Sequence, residues 1–164
     1  MKLFSRILMA VAVFAATSAF AEEAVPVKEI TAGLKKDGGT IFPMGVPNPY
    51  SQYFTGKSYL NPLSDKVNVA NVTFGKGTHT YWHIHHKTCQ ILVPESGSGY
   101  YQIWGQPAKK FKNGKTVTIP AETKHWHGAA PGHYFQHLSI MESVEGAGTE
   151  WLEEVDQKDF DSLK

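Results

Sequence analysis

Residues 81–90 read YWHIHHKTCQ, with histidines at 83, 85 and 86 and a glutamine at 90. A second dense stretch, HWHG, carries His125 and His127, and all eight histidines of the chain fall between residues 79 and 137. Imidazole is a common ligand for transition metals and the one side chain that ordinarily titrates near neutral pH. Such a concentration therefore points to metal binding, proton transfer, or both. Side chains alternate faces along a strand, which puts His83 and His85 on one side and His86 on the other; the same alternation pairs His125 with His127. A single His-x-His pair says little. Two pairs in one small domain can converge on one ion if the fold brings their strands together; otherwise they are hydrogen-bonded structural histidines.

The segments around them read as strands. From residue 51 on, SQYFTGKSYL, KVNVANVTF, HTYWHIHH, QILVPES, GYYQIWG, KTVTIP, KHWHGAA and YFQHLSIME are short, rich in β-branched and aromatic residues, and separated by Gly, Pro, Asn or Ser. Eight such segments at close spacing predict an all-β antiparallel sandwich or barrel over residues 51–142. ESGSGYY and FKNGKT are the clearest hairpin turns, the second carrying an Asn-Gly pair. Residues 22–50, dense in Gly and Pro, read as an arm lying on the surface. Residues 143–164 read as a helical tail: Thr149 can cap it, glutamates fill its early turns, and Trp151, Leu152 and Val155 form an apolar stripe.

With the motifs in order along the chain, a family resemblance emerges. Gly77, five residues, His83-Ile84-His85, four residues, Gln90, six residues and Gly97 resemble the first signature of the cupin superfamily. Gly114, five residues, Pro120 and then His125 resemble the second. YFTGKSYLNPL, KHWHGAAP and QHLSI are similar to small single-domain cupins of the carboxymuconolactone-decarboxylase-like group, which includes manganese-dependent hydroxynitrile lyases. The resemblance covers roughly residues 51–160 and implies a jelly-roll-like β-barrel. It also implies one divalent metal held by His83, His85, Gln90 and His125, and a histidine near the metal at His137. The chain departs from the group's pattern in three places. His86 stands where a proline usually follows the second ligand, with a turn one residue longer; Glu122 replaces a glycine; Ala129 replaces an asparagine.

With that ligand set, Gln90 in place of a carboxylate leaves the full charge on a divalent ion. Such an ion is a stronger Lewis acid and a poorer host for a higher oxidation state. The expected chemistry is redox-neutral acid–base work on a small organic molecule, of lyase, isomerase or decarboxylase type. A cupin dioxygenase, or a cupin that binds without turnover, is the alternative. Imidazole and amide oxygen accept Mn, Fe, Co, Ni or Zn; the resemblance favours Mn. His137 is the candidate general base, or else a buried structural histidine. His127 would orient a ligand or carry a proton. Tyr101 is the aromatic expected to wall the pocket. His79 and His133, near strand ends, are expected at the surface.

Composition narrows the field further. The opening MKLFSRILMAVAVFAATSAFA has a short basic head, an apolar run too short to span a bilayer and an Ala-x-Ala end, the layout of a cleavable signal peptide over residues 1–21. Export to the periplasm or medium is expected, with no stable membrane anchor afterwards. Removing the two cations of that segment turns the formal charge of +1 into −1, and Arg6 is the only arginine. An arginine-free domain is a poor reader of nucleic acid or phosphate backbones. The cluster KKFKNGK is the one basic run, read as a solvated turn. Cys89 is the only cysteine, so no internal disulfide is available; it is read as a structural thiol. Exposed sheet edges would favour a homodimer or higher homo-oligomer.

Overall fold

The computed structural model describes residues 28–35 and 41–163. The predicted signal peptide, and residues 22–27 and 36–40 of the arm, lie outside the described residues. Two antiparallel sheets face each other. The first contains β1 (Val46–Pro47), β2 (Ser58–Pro62), β3 (Asn68–Phe74), β5 (Gln90–Gly97), β8 (Val117–Ile119) and β10 (Phe135–Met141), in the order β1-β2-β3-β10-β5-β8. The second contains β4 (His83–His86), β6 (Gly99–Ile103), β7 (Lys109–Lys110), β9 (His125–Ala129) and β11 (Gly148–Trp151), in the order β11-β4-β9-β6-β7. This is the expected β-barrel architecture.

Alternation along each strand builds three apolar clusters. Between the sheets, Val72, Phe74, Leu92, Ile119, Ala129 and Phe135 interlock with Phe111 at one end of the barrel. Burying each large apolar side chain contributes roughly 1.5–3 kcal/mol. On the outer face of the second sheet, Trp82, Tyr100 and Trp126 are covered by Val155 and Phe160 from the C-terminal segment. On the outer face of the first sheet, Tyr59 and Met44 receive Ile30 and Leu34 from residues 28–35, which are helical. The arm is thus a lid over one sheet, and the tail is a lid over the other. Among the described residues, no helix is long and apolar enough to cross a membrane.

Two expectations are corrected. The tail does not begin as a helix capped by Thr149: Gly148–Trp151 is a strand paired with β4, and the helix is Gln157–Asp161, capped by Asp156. Cross-strand pairing of Thr149 and Trp151 with the histidine strand outweighs the helical pattern of their neighbours. His79 is buried at 1 % exposure, because residues 78–80 bridge to β9 and the ring stacks on Phe160 at 3.9 Å. His133 is exposed, as expected.

Candidate metal centre

Strands β4 and β9 lie side by side with His83 opposite His125. That register brings both His-x-His pairs to one place on the inner face. His83, His85 and His125 each offer one ring nitrogen within 4.8 Å of the others, and all three are buried. His86, one residue on, faces outward and contacts Glu122 and Glu150 at 2.6 and 3.0 Å.

The tautomers follow from the partners of Nδ1. A carbonyl oxygen only accepts, so His83 Nδ1 donates to Tyr81 O (3.0 Å) and His125 Nδ1 donates to Thr123 O (2.8 Å). Both rings therefore present Nε2 as a lone pair. His85 Nδ1 lies 3.0 Å from Thr149 Oγ1, and its Nε2 is buried without a hydrogen-bond partner among the described residues. Gln90, at the start of β5, donates Nε2–H to Ser139 Oγ at 2.9 Å, which turns its amide oxygen to 3.0 Å from His125 Nε2. Two acceptors then face each other at hydrogen-bonding distance with no proton to share. In this orientation of the amide, a cation beside the two acceptors would satisfy both, so the donor set fits a metal ion.

Burial keeps the imidazoles neutral, the form that binds metal. Burial, reinforced by the neighbouring His125 and His85, holds His83 well below the ordinary histidine value. Burial also lowers His85 to about 4 against the opposing influence of the Gln90 amide, and His125 to about 4 against that of the Thr123 carbonyl.

His83, His85 and Gln90 line a cavity of about 460 Å³. Leu60, Val69, Val72, Met141 and Trp151 supply apolar walls, Asn48 and Ser64 supply polar groups, and no Lys, Arg, Asp or Glu is among the described lining residues. Trp151 packs against His83 at 4.8 Å and stacks on Tyr53 at 4.7 Å. Tyr101 is elsewhere: it packs on Phe111 at 5.1 Å, against the inter-sheet core. His127 lines the cavity, whereas His137 lies behind it, among Phe74, Phe111 and Phe135. The two are joined by a contact of 3.2 Å between His137 Nε2 and His127 Nδ1. Burial lowers both: His137 to about 4, and His127 well below the ordinary value, with the nearby histidines adding to the effect.

Thr149, Trp151 and Ser139 complete the site. Only Ser139 had a signal in the sequence, through its alternation with His137; the helical spacing of GTEWLEE concealed the other two.

The departures from the signature compensate one another. Lys87, in the longer turn, and Glu122, at the glycine position, both adopt left-handed backbone (φ 65 and 60). The Glu122 carboxylate accepts from Lys87 N at 2.8 Å and holds His86, fastening the enlarged turn.

No family model matches the chain. It is 34% identical over 115 residues to the (R)-mandelonitrile lyase of Granulicella tundricola, covering 67% of this chain and 87% of that protein. A cupin-like protein of Thermotoga maritima superposes with a TM-score of 0.68 at 35% identity, covering 74% of this chain and 94% of the other. A predicted oxalate decarboxylase of the same organism shares the fold, with a TM-score of 0.53 at 15% identity, covering 60% and 93%. The chain belongs to the cupins, among the small single-domain members related to (R)-mandelonitrile lyase.

Proposed function

We propose that the protein is an exported metal-dependent lyase that cleaves a neutral hydroxylated compound such as a hydroxynitrile. The single observation behind this reading is the convergence of three buried imidazoles within 4.8 Å of one another, with the Gln90 amide oxygen 3.0 Å from His125 Nε2. His83, His85 and His125 would hold the ion with Gln90 as fourth ligand. Manganese is the metal of choice, with Fe, Co, Ni or Zn as alternatives. A divalent ion there would supply Lewis acidity toward a substrate oxygen.

The rest of the chemistry belongs to the chain. The apolar walls would take an aryl or alkyl body, and the absence of a lysine or arginine among the described lining residues disfavours a carboxylate substrate. His127 would act as the proton carrier. Its Nδ1 is engaged by His137, which leaves Nε2 without a hydrogen-bond partner among the described residues. In hydroxynitrile cleavage it would accept the hydroxyl proton as the O–H pair becomes the carbonyl bond. The C–CN bond breaks, and cyanide leaves with its electron pair. Burial disfavours a charged His127, which would return the proton to the departing cyanide. His137 is then a positioning residue and not the base itself.

Release of benzaldehyde and cyanide from mandelonitrile by the metal-loaded protein tests this directly. His127→Ala should retain metal and lose about 10²-fold or more in kcat. Undiminished turnover in that variant would remove His127 from the chemistry, and no turnover by the parent would remove hydroxynitriles from the substrates.

A further inference from the structure

A second cleft, of about 420 Å³, opens between the β5–β6 hairpin and residues 110–113. Ser96, Ser98, Lys110 and Lys112 line it, and Phe111 and Phe135 form its back wall. The same two rings pack on His137, at 6.4 and 5.6 Å, so they stand between the cleft and the histidine cluster.

Three features mark the cleft. Ser96 is only 3 % exposed, yet its hydroxyl has no hydrogen-bond partner among the described residues, and the Ser98 hydroxyl is likewise buried and unpartnered. Buried hydroxyls are normally satisfied, so each such exception calls for a missing partner. Next, Lys109, Lys110, Lys112 and Lys115 make no ion pair among the described residues, although Lys110 Nζ lies 5.9 Å over the Tyr100 ring, and no acidic side chain is among those lining the cleft. Finally, the hairpin that presents the two serines is fixed in shape. Gly97 is left-handed (φ 80), and a Cβ there would fall 2.1 Å from Tyr134 O; one at Gly99 would fall 2.6 Å from Gly128 O. Glu95 does not line the cleft, and burial alone raises its carboxyl to about 7, with no lysine acting on it.

Hydroxyl donors on a rigid loop beside uncompensated ammonium groups are what an oxyanion requires. We propose that this cleft is a second binding site, separate from the metal centre, that takes a small molecule through a carboxylate, phosphate or sulfate group. Ser96 and Ser98 donate to its oxygens, and Lys110 and Lys112 supply the counter-charge.

Calorimetric titration of the full chain with inorganic phosphate, sulfate and acetate, in chloride buffer at constant ionic strength, tests the assignment. Saturable binding of at least one anion is expected. It should weaken about tenfold or more in Lys110→Gln/Lys112→Gln, whose side chains are exposed and leave the fold intact, and about threefold or more in Ser96→Ala. His83→Ala/His125→Ala should bind as the parent does. Loss of binding in the histidine variant with retention in the lysine variant would assign the anion to the metal centre and overturn the proposal. So would the absence of saturable binding by all three anions, or parent-like binding in both cleft variants.

Discussion

A polar group behind each of the three imidazoles engages its Nδ1 and so holds the ring's orientation. Two are backbone carbonyls that substitution cannot remove, Tyr81 and Thr123; the third is the Thr149 hydroxyl. Thr149→Val keeps the shape and deletes that partner, so His85 should lose its fixed orientation. Metal affinity in a chelator competition is expected to fall about tenfold, with Thr149→Ser close to the parent. The pairs His83/His85 and His125/His127 were legible in the sequence because strand alternation acts on neighbouring residues, whereas the meeting of His125 with His83 was implied only by the family resemblance. Thr149 was not, because its role depends on a partner 64 positions away. The His86–Glu122 contact was also invisible, although both residues stood out as departures; their coupling arises only when the two turns meet.

The strands were mostly legible as elements, and the failures have a common cause. GTEWLEE has a helical spacing of acidic and apolar residues, yet its first four residues pair with β4 and close the sheet beside the metal cluster. Pairing with an open edge is a tertiary effect that local propensity does not register. The buried position of His79 has the same origin, since its segment is drawn inward by a bridge to Gly128. That bridge also makes a sharp prediction. A Cβ at Gly128 would fall 2.4 Å from the His79 Cα, so Gly128→Ala must push two backbones apart. The variant should lose roughly 1–3 kcal/mol in urea unfolding and, because β9 carries His125 and His127, should bind metal more weakly. A fully stable Gly128→Ala would show that the two segments can separate freely.

For the molecule as a whole, the barrel is closed by its own ends, with residues 28–35 on one outer face and the C-terminal helix on the other. Stability should depend on pH through Glu95, whose two buried carboxyl oxygens have no hydrogen-bond partner among the described residues. Burial raises it from 4.5 to about 7, so the folded protein binds this proton more tightly than the unfolded chain does. The stabilisation is complete below about pH 4.5 and is lost as pH rises through about 7. Glu95→Gln should therefore have a higher urea midpoint than the parent on the alkaline side of that window and match it on the acid side; an equal gain at both ends would assign the effect to something other than titration. Whether three histidines from two strands hold a metal can be read from the metal content of the full chain purified without chelators, beside His83→Ala/His125→Ala. Near one equivalent of Mn, Fe, Co, Ni or Zn is expected in the parent and little in the variant. A folded parent that carries none of these metals, and takes up none when they are supplied, would contradict it.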